Sequence, residues 1–524
     1  MRVKNTMINI FAGIGNQLII TLLSFISRSV FISTLGVEYL GVNGLFTSIL
    51  AMLSLAEAGI GASIVYNLYK PVAENDVERI KVLMKLYRKA YLVIALVVGL
   101  LGLSFMPFLG FFVKDANVAH VHLIFLIFLV NTVMPYLFQS RLSFLNVNQK
   151  SYIVTVAYSL SAILSACLKI AILYYTKNYI LFLVIDCLLT VSTSIVLNRL
   201  VSRRYPFLGE RTDGKLDPDT RRSIIRNVKA IVLQNIGGYF VFGADSLIIS
   251  SFVSLAAVGL YSNYKMLIDI SRTFVNQIFN NMYHSIGNLV AKESTEKVYS
   301  VYNIAMLVNF WLYSMFAILL YVLIGPFITV WIGPKFLMGH GAVVLMLLIF
   351  YERGMRSTIS TVKTTAGIFH EDRFAPLLQA AINLAAAIVL VRPLGIAGVF
   401  LGSLIGALAV PFWYTPRLVY RKVFRRPLRD YYLRYLGYSA IGLTAFAAVD
   451  LLADTLPSGG WLPFLVKAAA CFAALNLIYA VVFFRTEEFK YLLGVGRNLL
   501  GKLPFGPKRI DPIEAQIEPM EGIR

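Results

Sequence analysis

Read as apolar and polar positions, the chain is a series of long apolar stretches separated by short polar ones. Fourteen stretches reach the ~20 residues that a helix needs to cross ~30 Å of hydrocarbon. They run over 8–34, 42–68, 88–113, 119–141, 152–175, 179–200, 227–252, 256–286, 301–324, 338–361, 374–391, 395–416, 435–453 and 461–484. The longer spans predict tilt or turns that protrude beyond the bilayer. Three basic polar stretches punctuate the series. The first, "YKPVAENDVERIKVLMKLYRKAY", carries Val77, Ile80, Leu83, Met84 and Tyr87 at helical spacing, which predicts a short helix lying along the interface before span three. The second, "RLVSRRYPFLGERTDGKLDPDTRRSIIRN", has the Gly, Pro and Asp content of a linker between two halves. The third, "PRLVYRKVFRRPLRDYYLRY", precedes the last two spans.

This organisation predicts a six-helix lobe over 1–201, a basic linker over 202–226 and a second six-helix lobe over 227–420. Two added helices follow over 421–484, then a tail over 485–524. In the tail, "GVGRNLLGKL" has the outline of a phosphate loop, but Leu503 stands where Ser or Thr should follow Lys502, and no strand precedes it. Its apolar spacing predicts an amphipathic helix on the membrane surface, and the residues beyond Pro504 lack apolar periodicity and predict disorder.

Composition agrees with the pattern: 58% of the 524 residues are hydrophobic and 14% charged, against ~45–50% and ~25% in soluble chains. That excludes a soluble enzyme or binding module and gives an all-α polytopic membrane protein. The first apolar stretch exceeds the ~7–15 residue core of a signal peptide and is expected to be a retained span. The net charge of +21 raises a nucleic-acid partner, but its distribution argues against one. With the N-terminus placed inside, 37 of the 48 Lys and Arg lie on the inner side, four lie outside and seven lie within spans. This asymmetry puts both termini in the cytoplasm and the basic loops against anionic lipid headgroups. The three cysteines lie in separate spans without paired spacing, so neither a disulfide framework nor a zinc site is expected. His120 and His122 lack neighbouring carboxylates; no metal and no cofactor are expected.

The two halves look related. Gly44-Leu45-Phe46 after span one matches Gly259-Leu260-Tyr261 after span seven, and Ala73…Glu78-Arg79-Ile80 matches Ala291…Glu296-Lys297-Val298. Both repeats start on the same side, so they are parallel, about a pseudo-two-fold along the membrane normal.

Charges inside spans carry the chemistry, because an ionisable residue at the membrane centre costs roughly 2.5–3.5 kcal/mol on insertion scales. Such residues face a protein interior or a watery cavity. Arg28 lies in span one, Glu57 in span two, Lys169 in span five, Asp186 in span six and Asp245 in span seven. Span eight holds Lys265, Asp269 and Arg272 at i, i+4, i+7, one helix face. Glu352, Arg353 and Arg356 lie in the inner half of span ten, where the two arginines have snorkelling to the interface as their plainer explanation. Lys467, near the outer end of its span, reads as an interface anchor. Arg28, Arg272, Lys265, Lys169 and Arg353 are the candidate cationic lumen. Glu57, Asp245 and Asp269 are candidate counter-ions or coupling sites. Mid-membrane cations suit an anionic cargo, and an arginine fork matches phosphate oxygens.

At these residues the chain resembles a known family. "SRSVFISTLGVEYLGVNGLFTSILAMLSLAEAGIGASIVYNLYKP", "ADSLIISSFVSLAAVGLYSNY", "VWIGPKFLMG", "TTAGIFHEDRFAPLLQAAINLAAAIVLVRPLGIAGVFLGSLIGAL" and "TEEFKYLLGVGRNLLG" resemble, in order, bacterial lipid-linked oligosaccharide flippases. These are the Wzx-type members of the multidrug/oligosaccharidyl-lipid/polysaccharide (MOP) superfamily. The resemblance implies a fourteen-helix rocking fold with two six-helix lobes around a cationic lumen. It implies an undecaprenyl-diphosphate oligosaccharide as cargo, moved from the inner to the outer leaflet for surface polysaccharide biosynthesis. The family's lumenal arginines would correspond to Arg28 and Arg272. Partners implied by such a role are the lipid-linked substrate, membrane lipids, a polysaccharide polymerase and chain-length proteins, with the transporter itself a monomer. The nearest rival is a drug/cation antiporter of the same superfamily, which relies on lumenal acids. A lipid II flippase, and a polymerase or ligase with a large outer loop, stand further off.

Overall fold

The computed structural model describes residues 2–57, 60–113, 118–148, 150–210, 243–292, 294–368, 371–457 and 459–501, with 212, 214, 218 and 222. The described residues are almost entirely helical. Most of span seven, about half of the linker and the segment beyond Gly501 lie outside them, including the disorder expected after Pro504.

The first half begins with α1 (Arg2–Leu35) and α2 (Val37–Leu53). They are joined at Gly36, whose φ of 87° falls where a side chain is strained. Span two then breaks at a short 3₁₀ turn (Ser54–Glu57) before α3 (Ile60–Glu74). The next helix differs from the expectation: α4 (Val77–Phe105) runs without interruption from the basic stretch into span three. Asp76 caps it by accepting the Arg79 N–H at 3.0 Å. No Pro or Gly interrupts the junction, and one buried stripe of Ile80, Leu83, Met84, Tyr87, Tyr91 and Ile94 continues through it. A separate surface helix would have to break that stripe; only Val77 of the predicted set is exposed.

Span four is split at Pro135 into α5 (Val121–Val133) and α6 (Tyr136–Val147), since proline removes a ladder donor. Then come α7 (Ser151–Thr176) and α8 (Tyr179–Arg204). The second half contains α9 (Asp245–Phe252), α10 (Leu255–Lys292), α11 (Thr295–Trp331) and α12 (His340–Thr365). It continues with α13 (Ala375–Leu394), α14 (Ile396–Ala409) and α15 (Pro411–Val419). The last pair is α16 (Arg429–Thr455) and α17 (Trp461–Phe483), followed by α18 (Glu487–Gly501).

Among the described residues nine helices are long and apolar enough to cross a membrane, with Ile19–Leu35 and Val37–Leu53 as shorter apolar helices. The architecture is a multi-pass helical bundle. α10 and α12 are as long but carry several charges, Lys265, Asp269 and Arg272 on the first and Glu352, Arg353 and Arg356 on the second.

The halves meet where α2 crosses α10. Gly44 and Gly259, matched in sequence, lie at this crossing, with Gly41 about one turn before Gly44. A methyl built on Gly41 would overlap the Leu255 carbonyl oxygen, and one on Gly259 would overlap that of Val37. Small residues let two backbones approach closely, the usual means of association where lipid removes the hydrophobic drive. Nearby, Trp331 donates from its indole nitrogen to Ser29 Oγ at 2.6 Å, and Phe25 packs edge-on against both Phe327 and Trp331. These contacts all lie toward the end of the bundle marked by Gly36. One large apolar cluster spans this junction and both halves. A second ties α16 and α17 to α11 through Phe310, Tyr438, Tyr479 and Phe483. On it docks α18, whose Phe489 stacks on Trp311 at 5.7 Å while Glu488 accepts from Arg434 at 2.9 Å.

Candidate functional site

Arg28 lies seven residues before the end of α1, ~10 Å along the axis. Side chains on a helix lean toward its N-terminus, so the guanidinium reaches deeper into the bundle. It meets α10 of the other half, donating from Nε to Asn263 Oδ1 at 2.7 Å and from an outer nitrogen to Ser262 Oγ at 2.5 Å. A third contact reaches Met266 Sδ at 3.8 Å. These partners are neutral, so the fork is oriented without its charge being cancelled. The same side chain lines a cavity of about 370 Å³ together with Ser24, Ser27, Asn43, Lys169 and Asp186.

Lys169, on α7, sits at the floor of that cavity and donates to Asp186 Oδ1 of α8 at 2.8 Å. Its ammonium also lies 4.9 Å above the Phe182 ring, a cation–π contact that strengthens where water is excluded. Asp186 is a hub: Ser165 donates to Oδ1 at 2.7 Å, and Asn131 approaches Oδ2 at 3.5 Å. Beyond the pair opens a second cavity of about 420 Å³, lined by Asn43, Thr47, Ser54, Asn131 and Thr132 with the rings of Phe128 and Phe182.

The span-eight charges form a separate group. Asp269 accepts from Lys265 at 2.5 Å and from Arg272 at 3.1 Å, and the three side chains keep 42%, 40% and 38% exposure for Lys265, Asp269 and Arg272. They are paired along their own helix yet open to space, as a hydrated lumen wall would be. Arg353, Asp245 and Ser403 line a small hollow of about 60 Å³ with them. Asp245 accepts from Tyr261 and Ser403, each at 3.4 Å.

Arg28 and Arg272 therefore line different cavities. At 100° per residue, the Arg28 partners at 262, 263 and 266 and the charged set at 265, 269 and 272 occupy faces of α10 about 100° apart. Arg28 and Lys169 share a cavity; Lys265, Arg272 and Arg353 share another. Glu57 joins neither: it sits in the 3₁₀ break, where its carboxylate accepts the Tyr91 hydroxyl at 2.6 Å. Arg356 does not snorkel; Nε and an outer nitrogen grip Glu352 at 2.8 and 3.1 Å. Lys467 is buried, 9% exposed.

The sequence marks Asp186 as a membrane charge without indicating its role, and it does not mark the neutral residues Asn43, Thr47, Asn131 and Asn263 at all. The spacing of Ser165 and Lys169, four apart on one face of α7, was the available signal for the first. Uncharged polar residues give no comparable signal in a hydropathy profile.

Residues 4–283 match the model of the family described as "Polysaccharide biosynthesis protein". No curated protein matches the chain in sequence. Among solved structures, the lipid II flippase MurJ in an inward closed conformation is similar with a TM-score of 0.65 at 14% identity, covering 90% of this chain and 98% of that one. An inward-facing multidrug resistance MATE family transporter of the MOP superfamily has a TM-score of 0.57 at 15% identity, covering 74% and 91%. The Vibrio cholerae MATE transporter VcmN, as a point mutant, has 0.54 at 16%, covering 80% and 98%. At these identities the likeness shows the fold alone: that of the MATE- and MurJ-like members of the MOP superfamily.

Proposed function

The chain belongs to the polysaccharide biosynthesis protein family, and from that premise we propose that it flips an undecaprenyl-diphosphate-linked oligosaccharide from the inner to the outer leaflet of the bacterial cytoplasmic membrane. The carrying observation is Arg28: a guanidinium deep in the bundle, held by Asn263 and Ser262 rather than by a carboxylate, at the wall of a cavity that also holds Lys169. With Asp186 opposed to Lys169, that cavity keeps a net positive charge. A diphosphate leaving water needs such replacement, because an unpaired ion in hydrocarbon costs far more than any single contact returns. An antiporter for cations would need the reverse in this cavity, an acid without a cation, whereas Asp186 is occupied by Lys169.

In this reading diphosphate and glycan occupy the hollow between the halves while the isoprenoid stays in lipid. An apolar groove of about 410 Å³ between α11, α12 and α16, lined by Ile318, Leu347, Leu348 and Leu443, offers it a surface. The junction at the Gly36 end is the outer gate: parting α2 from α10 and Trp331 from Ser29 exposes the cavity on the other side. Arg28 bridges the halves close to that gate, so cargo that draws its fork away from Asn263 also loosens the closure. The membrane potential, ~2.3 kcal/mol per charge per 100 mV, favours outward movement of an anion.

The test is export of surface polysaccharide by Arg28→Ala and Arg28→Lys variants inserted at wild-type levels. Alanine should abolish export and lysine restore it only in part, since the two-pronged geometry is lost. Wild-type export by the alanine variant refutes the assignment.

A further inference from the structure

The second cavity differs from the first in a chemically specific way. Its wall carries neutral donors and acceptors, Asn43, Thr47, Asn131 and Thr132, together with the aromatic faces of Phe128 and Phe182. Its single charged element is the Lys169–Asp186 pair, which it shares with the cavity beneath Arg28. At about 420 Å³ it falls in the ~300–1,000 Å³ range of small-molecule sites. Two of its polar groups have capacity to spare. Thr132 spends its proton on the Phe128 carbonyl at 2.9 Å and keeps its lone pairs. Asn131 turns its amide N–H₂ toward Asp186, while its buried Oδ1 has no hydrogen-bond partner among the described residues. Neutral groups that both donate and accept, beside aromatic rings, suit a ligand with many hydroxyls and one apolar face.

We propose that this cavity is a subsite for the sugar attached directly to the diphosphate, an uncharged pyranose held by Asn43, Thr47, Asn131 and Thr132 against Phe128 and Phe182. The proposal rests on the flippase reading and adds to it a recognition step. The shared ion pair supplies the coupling. A diphosphate beside Arg28 competes with Asp186 for the Lys169 ammonium. As Lys169 turns to the phosphate, Asp186 is left to accept the hydroxyls of a sugar on its other side. Phosphate and sugar then stabilise one another's binding, and a bare lipid diphosphate leaves Asp186 without the donor it has lost. The subsite thus favours the sugar-bearing lipid over the bare one.

The test uses the purified full chain and native mass spectrometry, with undecaprenyl diphosphate as one probe. The others are undecaprenyl diphosphate bearing a single glucose, galactose or N-acetylglucosamine. Wild type should bind at least one sugar-bearing lipid about tenfold more tightly than the bare one, the ratio one well-made polar contact set supplies. The near-isosteric Thr132→Val and, independently, Thr47→Val should each cut that ratio to about twofold while leaving bare-lipid affinity unchanged. Arg28→Ala should weaken all probes together. No preference in wild type, or a preference that both variants retain, overturns the subsite while the flippase reading stands on the Arg28 result. Bare-lipid binding that is absent, or indifferent to Arg28→Ala, overturns the underlying reading and the subsite with it.

Discussion

Replacing Gly41 by alanine is a small change with a large expected effect on the transport cycle. A methyl at this position would lie 2.9 Å from the Leu255 carbonyl carbon and 3.0 Å from Leu255 Cγ, besides overlapping the carbonyl oxygen. Carbon atoms pack at ~3.5–4.0 Å and carbon against oxygen at ~3.3 Å, so to clear the carbonyl oxygen α2 and α10 must part by roughly 1 Å. Backbone cannot rotate away as a side chain can, and overpacking of this kind costs typically about 1–3 kcal/mol. On the proposed gating, the cost falls on the conformation in which the Gly36 end is shut and vanishes once the halves separate there. At about 1.4 kcal/mol per decade, the ratio of shut to open should fall about 5- to 150-fold. The assay is a spin–spin distance between labels at the exposed positions Tyr175 and Arg392 in a background lacking Cys167, Cys187 and Cys471. In Gly41→Ala the longer distance should gain population, and polysaccharide export should fall. Gly99→Ala, where the methyl meets nothing within 4 Å, is the control. A distance distribution unchanged from that control would mean that the crossing is not the gate.

Other substitutions test the remaining structure. Glu352→Gln leaves Arg356 without its two-bonded carboxylate in a site where Glu352 is only 4% exposed; breaking a buried pair costs about 3–5 kcal/mol, which should appear as a lower midpoint of thermal unfolding in detergent. Phe310→Ala, fully buried between Tyr438 and Tyr479, should destabilise by about 3–5 kcal/mol and release α16 and α17 to limited proteolysis. Phe489→Ala removes the ring stacked on Trp311 and should expose α18 to protease while leaving the fold of the other helices, read by circular dichroism, intact.

Much of this molecule is determined by its sequence alone, for a physical reason. In hydrocarbon each backbone amide must bond within its own segment, so an apolar run of about twenty residues has one outcome. The positions of α7, α8, α13, α16 and α17 follow from length and hydropathy. A motif series in the right order was enough to indicate the family. The position of Arg28 within a span was equally legible, because the surrounding letters make a charge conspicuous.

What the tertiary structure decided is how the charges are distributed among partners. Helix rotation and crossing angle place Arg28 against Asn263 on the far half, and Arg272 on another face of the same helix beside Asp269. Neither quantity is encoded in hydropathy, since each depends on how two surfaces interlock. The matched glycines suggested a repeat in the sequence, but only the fold makes them the point where the halves touch. The neutral cavity beside Lys169 and Asp186 was invisible for the same reason: asparagine and threonine become a site only when several helices bring them to one wall.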